Sequence, residues 1–283
     1  MSNPQHDQHH DDYGGLHRDL NATLDRRGLL RLGARFGAAF GALQLVGCSD
    51  TPTSPSSTTP AASISTTATP PVSTTATCSR IPEETEGPYP ADGSNGPSVL
   101  TASGVVRSDI RSSFAGMSGT AAGVPLTIEL TIVSASTCAP LARAAVYLWQ
   151  CDREGRYSLY TQGVTTQNYL RGVQEADANG RVTFQSIYPG CYAGRWPHIH
   201  FEVYPSLGLA TSARNKTATS QIALPKTTND LVYATAGYEQ SVRNAAQVTL
   251  ATDGVFRDGS SLELATTSGD VAGGITATLT VAV

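Results

Sequence analysis

Residues 126–132 read LTIELTI, so apolar and polar side chains alternate along the segment. A period of two places every apolar side chain on the same face of an extended strand. The alternation returns in ITATLTVAV at residues 275–283. Residues 145–150 read AVYLWQ, a more fully apolar run that is typical of a strand buried on both faces. These runs predict that the second half of the chain is built from short strands.

Turn sequences separate the predicted strands. DREG at residues 152–155, DANG at 177–180 and DG at 253–254 combine residues that favour tight turns. Only residues 230–244 suggest a helix. Many short strands joined in this way predict a mainly β fold, an antiparallel β-sandwich with long loops and little helix.

The first 48 residues have the features of an export signal. Arg26 and Arg27 form a twin-arginine pair, and a weakly apolar stretch follows at residues 36–47. This stretch is too short for a permanent transmembrane helix, and it ends in LVGC, which resembles the bacterial lipobox. We expect export to the cell surface or periplasm, with a lipid anchor at Cys48. The alternative is an amphipathic helix with a chance Arg-Arg pair.

Residues 49–77 consist almost entirely of Ser, Thr, Pro and Ala. Such a segment cannot bury enough apolar surface to offset the entropy of ordering it, so we expect a flexible tether. Residues 78–283 remain as one folded domain. The net charge of −4 and the lack of a dense Lys/Arg block beyond the N-terminal segment argue against a nucleic-acid partner.

Four of the five cysteines remain if Cys48 is lipidated. An even number in an oxidising compartment suggests disulfides, and the preferred pairing is Cys78–Cys138 with Cys151–Cys191. Buried free thiols are the alternative. No CxxC spacing occurs in the sequence, which argues against a zinc ribbon.

Histidine is scarce, since four of the six histidines precede residue 48 and only His198 and His200 remain beyond it. On a strand, residues two apart point to the same face, so these two imidazoles form a natural metal-binding pair. A three-histidine zinc site cannot be built from them. A site of two histidines and one carboxylate stays open, with Glu202, Asp152 or Asp177 as the carboxylate.

Tyrosine supplies a second kind of oxygen donor near this pair. Tyr157 follows the turn at residues 152–155, directly after the apolar run that contains Trp149. Tyr192 lies in a Gly/Pro-rich loop, YPGCYAG, which leads towards His198. Each tyrosine alone is more often a packing residue than a ligand, so the interpretation depends on the group of four.

Several short motifs follow one another along the folded part of the chain. They are TEGPY at residues 85–89, LWQCD at 148–152, GRYS at 155–158, LRGVQ at 170–174, IYPGCY at 187–192 and GRWPHIHF at 194–201. In these motifs and their order, the chain from about residue 85 onward resembles the intradiol ring-cleavage dioxygenases, the family of catechol and protocatechuate dioxygenases.

The resemblance implies a ferric iron, Fe(III), as cofactor and a catechol-type substrate that O2 opens to a muconate-type diacid. Its implied site residues are the iron ligands Tyr157, Tyr192, His198 and His200, with Arg195 and Gln221 beside them. The resemblance also implies that Tyr192 is the ligand that leaves on substrate binding and acts as a base. The oligomeric state stays open, a homodimer being one alternative.

Two other functions remain open at this point. One is a zinc or iron(II) enzyme with two histidines and one carboxylate. The other is a non-catalytic β-sandwich that serves as a binding module at the cell surface.

Overall fold

The computed structural model describes residues 78–283, which form two four-stranded sheets and two short helices. The strands are β1 (Pro125–Val133), β2 (Ala145–Trp149), β3 (Arg171–Glu175), β4 (Arg181–Ile187), β5 (His198–Tyr204), β6 (Ala218–Ala223), β7 (Thr266–Asp270) and β8 (Gly274–Ala282). The helices are α1 (Lys226–Tyr233) and α2 (Glu239–Ala245), and short 3-10 turns occur at Leu207–Leu209, Ala213–Asn215 and Phe256–Asp258. The first sheet has the order β4-β1-β8-β7 and the second the order β3-β2-β5-β6. The predicted mainly β sandwich is confirmed.

The alternating sequence of β1 produces the main core. Leu126, Ile128, Leu130 and Ile132 are each at most 1% exposed, whereas the residues between them are partly or fully exposed. These side chains belong to the same buried cluster as Phe201 of β5, on the facing sheet. Burial of one such side chain contributes about 1.5–3 kcal/mol, so the period-two pattern is a strong determinant of the register.

The second sheet is buried on both faces. All residues of β2 and β5 are buried, as the apolar run of β2 predicts. One face contributes Ile199, Phe201 and Val203 to the core between the sheets. The other face carries Tyr147 and Trp149 and is covered by a second apolar cluster that includes residues from the segment 89–114. The histidines of β5 lie on this outer, covered face.

Two details of the secondary structure differ from expectation. Strands β1 and β8 pair in parallel, so the first sheet is not purely antiparallel. The helix expected at 230–244 is two shorter helices, α1 and α2, and the first of them begins earlier, at Lys226. Gly237 lies between them with φ +94, a left-handed conformation that cannot continue a right-handed helix. Within residues 78–283, no helix is both long and apolar enough to cross a membrane.

One of the two expected disulfides is present. Cys78 and Cys138 form a disulfide that joins the start of the described chain to the loop after β1. The predicted Cys151–Cys191 disulfide is wrong, because both residues are buried free thiols. Their sulfurs are directed to different backbone carbonyls, that of Gly190 at 3.5 Å from Cys151 and that of Arg195 at 3.4 Å from Cys191.

The export signal, the lipobox cysteine and the tether lie outside the described residues.

Candidate metal centre

Strand register places His200 at the centre of the outer face of the second sheet. His200 is opposite Trp149 on β2 and opposite Gln221 on β6. The rings of Trp149 and His200 are nearly parallel, with centroids 4.9 Å apart and an interplanar angle of 6°. This stack fixes the plane of the His200 imidazole, and the pairing puts Gln221 beside it.

Four donor atoms form a continuous chain on this face. Tyr192 Oη lies 3.1 Å from His198 Nε2, His198 Nε2 lies 3.1 Å from His200 Nε2, and His200 Nε2 lies 3.2 Å from Tyr157 Oη. Residues from two loops and one strand therefore converge on one point. The structure brings together all four residues that the sequence resemblance implies as ligands.

The hydrogen bonding of His198 determines which of its nitrogens is available. Its Nδ1 faces the backbone carbonyl of Trp196, which can only accept a hydrogen bond. In the neutral ring the proton therefore lies on Nδ1, and the lone pair of Nε2 points towards the other donors. Burial lowers the pKa of both histidines well below the ordinary value, and the charge of Arg195 acts in the same direction. Both rings are neutral at pH 7, as metal ligands must be.

The two tyrosines differ in their surroundings. Tyr157 is 2% exposed, and burial raises the pKa of its phenol well above the ordinary value, with a further contribution from Tyr192. Tyr192 is only partly buried, in the loop that precedes β5. A phenol as buried as Tyr157 ionises only if a positive charge stabilises the phenolate. Tyr192, which is partly exposed, is less strongly desolvated than Tyr157.

Arg195 supplies positive charge to the same place. It is 1% exposed, and its guanidinium donates to Gln221 Oε1 at 2.6 Å. The same charge favours the ionised form of Tyr157. Gln221 in turn donates through Nε2 to the carbonyl of Thr85, 2.9 Å away. Arg195 and Gln221 thus lie beside the four donors, in the positions that the resemblance implies.

The carboxylates proposed as a third ligand are engaged elsewhere. Glu202 accepts hydrogen bonds from Tyr204 at 2.6 Å and Lys216 at 2.8 Å, and burial raises its pKa to about 7. Asp152 accepts from Arg156 and from the hydroxyl of Tyr169, each at 3.0 Å.

Asp177 caps its own turn through the backbone of residues 179 and 181. Among residues 78–283, no three His, Cys, Asp or Glu side chains are grouped so as to hold a metal ion. A metal site in this part of the chain would therefore need ligands of another type, such as tyrosine.

Two residues beside the centre were not predicted as part of it. Asp253, recognised in the sequence only as part of a turn, forms a buried ion pair with Arg195. Arg171, part of a motif with no assigned role, is 0% exposed and binds the backbone on both sides of the centre. Their contacts could not be read from the sequence, because Asp253 lies 58 positions from Arg195 and Arg171 lies 81 positions from Pro90.

Two phenols and two neutral imidazoles on a covered sheet face form a set of oxygen and nitrogen donors of the kind that can hold a metal ion. Comparison with known proteins shows which proteins are similar to this chain in sequence and fold. Residues 96–209 match the protein family described as Dioxygenase. This range contains the four donors and Arg195 but not Gln221 or Asp253.

Two solved dioxygenase structures are similar in fold to the described residues. An intradiol ring-cleavage dioxygenase from Tetranychus urticae aligns with a TM-score of 0.59 at 26% identity, over 72% of this chain and 94% of that one. A second dioxygenase crystal structure aligns with a TM-score of 0.58 at 26% identity, with the same two coverages. The dioxygenase domain of a carbohydrate-binding fusion protein from Streptomyces sp. SirexAA-E has 22% identity, a TM-score of 0.46 and coverages of 72% and 98%. No curated protein matches the chain significantly.

Residues 96–209 are therefore similar to a dioxygenase family, and the fold of the described residues is similar to that of an intradiol ring-cleavage dioxygenase.

Proposed function

We propose that this domain uses O2 to cleave a catechol-type ring between its two hydroxyl-bearing carbons, with a ferric ion held by Tyr157, Tyr192, His198 and His200. The observation that carries the proposal is the chain of four donor atoms spaced 3.1, 3.1 and 3.2 Å apart. The reaction balances without a further reductant, because both atoms of O2 enter the product. Catechol and O2 together contain all the atoms of the diacid, cis,cis-muconic acid, and each carbon of the broken bond becomes a carboxyl carbon.

The donor set fits a ferric ion. Neighbouring donor atoms lie 3.1, 3.1 and 3.2 Å apart, close enough together for all four to bind a single ion. Fe(III) is a hard cation that favours anionic oxygen, and two phenolates offset much of its charge. The ion would also supply the positive charge that a buried Tyr157 needs in order to ionise.

A ferric ion bound there would hold both catechol oxygens and make the ring reactive towards O2. The residues of the chain have separate roles. Tyr192 Oη, partly exposed and next to His198, would accept a proton from a catechol hydroxyl. Tyr157, fully enclosed, would stay in place. The buried charge of Arg195 would stabilise negative charge on the oxygens of the reacting ring. The covered sheet face would limit access of water.

The direct test is metal analysis together with oxygen uptake. Purified residues 78–283 should contain about one iron per chain and show a visible phenolate-to-iron absorption band. A panel of catechols should consume one O2 per ring and give a product with muconate-type ultraviolet absorption. His198→Ala and His200→Ala should each lose most of the iron and the colour, since a four-ligand site is reduced to three.

Two results would contradict the proposal. Stoichiometric zinc with a colourless protein would favour the alternative enzyme with two histidines and one carboxylate. Absence of iron, colour and oxygen uptake would favour a binding module with the same fold. The choice among substituted catechols follows from the same panel.

We also propose that the domain is exported and tethered through Cys48, on the sequence pattern of residues 1–77. Replacing Arg26 and Arg27 with lysine should block export, and Cys48→Ala should release the protein from the membrane fraction. Unchanged fractionation of both variants would contradict the proposal.

A further inference from the structure

Asp253 is a fully buried carboxylate that accepts four hydrogen bonds. Its Oδ2 accepts from Arg195 Nε at 3.0 Å and from the backbone N–H of Trp196 at 2.6 Å. Its Oδ1 accepts from the backbone N–H groups of Val255 and Phe256, at 2.8 and 3.1 Å. The side chain is 0% exposed, and that of its partner Arg195 is 1% exposed. One carboxylate therefore joins the loop after α2 to the segment that enters the histidine strand.

The contact continues from Asp253 to the metal centre in defined steps. Arg195 uses Nε for Asp253 and Nη2 for Gln221, so the two contacts fix the guanidinium plane at two points. Gln221 lies opposite His200 in the strand register. Phe256, whose N–H is bound by Asp253, has its ring 5.9 Å from the Arg195 guanidinium and 6.4 Å from the His198 ring. Movement of Asp253 would thus affect the charged group and one face of the site together.

We propose that Asp253 is a positioning residue that orients the Arg195 guanidinium towards the reacting ring. The inference rests on the proposed function and assigns to the same site a residue that lies outside the segment matched by the family. A guanidinium has a planar set of donors, and a carboxylate that accepts from Nε determines the direction in which the other nitrogens point. Without the carboxylate, Arg195 would be a buried charge with one anchor fewer and several orientations.

The contact also has an electrostatic consequence. A buried arginine without a counter-ion is costly, so the Asp253 carboxylate stabilises the charged Arg195 side chain in the protein interior. Asp253 does not touch any of the four metal donors in the structure. Its loss should therefore affect turnover more than iron content.

The test uses Asp253→Asn, which keeps the shape but loses the negative charge and replaces one accepting oxygen with an NH2 group. We expect iron content and the visible band to stay close to wild type, while kcat falls about 10- to 100-fold, as for a displaced catalytic group. In an Arg195→Gln background the same Asp253→Asn change should cause little further loss, since the group it orients is already absent. Asp270→Asn is the matched control, because Asp270 also caps backbone N–H groups but lies in the exposed β7–β8 hairpin.

A merely structural role would give a different pattern. It would lower the melting temperature and reduce kcat by the same factor whether or not Arg195 is present, and that result would overturn the inference. Unchanged kcat for Asp253→Asn in an active wild-type enzyme would also overturn it.

If Asp253→Asn yields no folded protein, Asp253→Glu tests the proposal instead. It keeps the charge, so it should retain iron and a kcat well above that of Arg195→Gln. A kcat no higher than that of Arg195→Gln would refute the positioning role of Asp253. A wild-type domain without iron or oxygen uptake would instead refute the proposed function, and this inference with it.

Discussion

Replacing Arg171 with methionine tests how much the centre depends on its scaffold. The Arg171 guanidinium donates to the carbonyls of Pro90, Tyr89 and Ser158 at 2.8, 2.9 and 3.0 Å. It also contacts the Ser158 and Tyr147 hydroxyls at 3.1 and 3.2 Å. The side chain is 0% exposed, so water cannot replace these bonds without entering the fold. Methionine fills a similar volume but donates nothing.

The loss of stability can be estimated from the hydrogen-bond acceptors that no longer have Arg171 as a donor. The Pro90 carbonyl keeps a second donor, the Tyr147 hydroxyl at 2.7 Å. The Ser158 carbonyl loses its buried bond to Arg171 and the Tyr89 carbonyl loses a part-buried one, and a buried carbonyl left unsatisfied costs about 1–3 kcal/mol. Removal of a buried charge offsets part of this loss. We expect the free energy of unfolding to fall by about 3 kcal/mol, a drop in melting temperature of roughly 6–12 °C for a domain of this size.

The same change should loosen the iron. Ser158 follows Tyr157 directly, and the ring of Tyr89 lies 4.9 Å from the Tyr157 ring. Arg171 therefore holds the backbone at Ser158, next to Tyr157, and at Tyr89, whose ring packs on the Tyr157 ring. Iron per chain after dialysis against a chelator should be lower in Arg171→Met than in wild type, at a temperature where both are folded.

Thermal unfolding by circular dichroism, with iron analysis of the same samples, measures both effects. Arg243→Met is the control, because Arg243 is an exposed arginine whose guanidinium bonds the side chain of Gln240. The control should change stability by no more than about 0.5 kcal/mol. If Arg171→Met melted together with the control and kept its iron, the assignment of Arg171 as the link between Tyr89 and Ser158 would be refuted.

Two further predictions concern the tyrosines and the disulfide. Tyr192→Phe should keep part of the iron but lower kcat by about 100-fold through loss of a base, whereas Tyr157→Phe should mainly lower iron retention. Metal content and oxygen uptake on one catechol distinguish the two variants. Wild-type turnover in Tyr192→Phe would exclude the role of Tyr192 as a base. Cys78→Ser should lower the free energy of unfolding by about 4 kcal/mol, because the disulfide to Cys138 closes a loop of 60 residues. A melting curve that neither the mutation nor a reductant changes would contradict this prediction.

Much of the fold was predictable from local pattern. The alternation in residues 126–132 predicts β1 and its buried face, because side-chain direction in a strand has a period of two. The same rule places His198 and His200 side by side and directs Ile199 and Phe201 into the core. These predictions needed no knowledge of what each strand pairs with.

The composition of the donor set was also readable in the sequence. With only two histidines beyond residue 48, any metal site there needs other donors, and tyrosines lie in the two loops next to the histidine strand. The resemblance then implied Tyr157 and Tyr192, and the structure places both hydroxyls within 3.2 Å of a histidine nitrogen. Their role as iron ligands stays a prediction.

Only the tertiary structure decided which distant groups meet. Pairing of β1 with β8 in parallel, and separation of the Cys151 and Cys191 thiols, depend on the packing of whole sheets. The Asp253–Arg195 pair joins residues 58 positions apart, and Arg171 reaches the carbonyl of Pro90 across 81 positions.

Local periodicity could not have predicted these contacts. It reports whether a side chain is turned towards the interior, and nothing about its partner there. A buried charge must find its counter-ion or its acceptors wherever the fold brings them, because the interior offers no water to replace them.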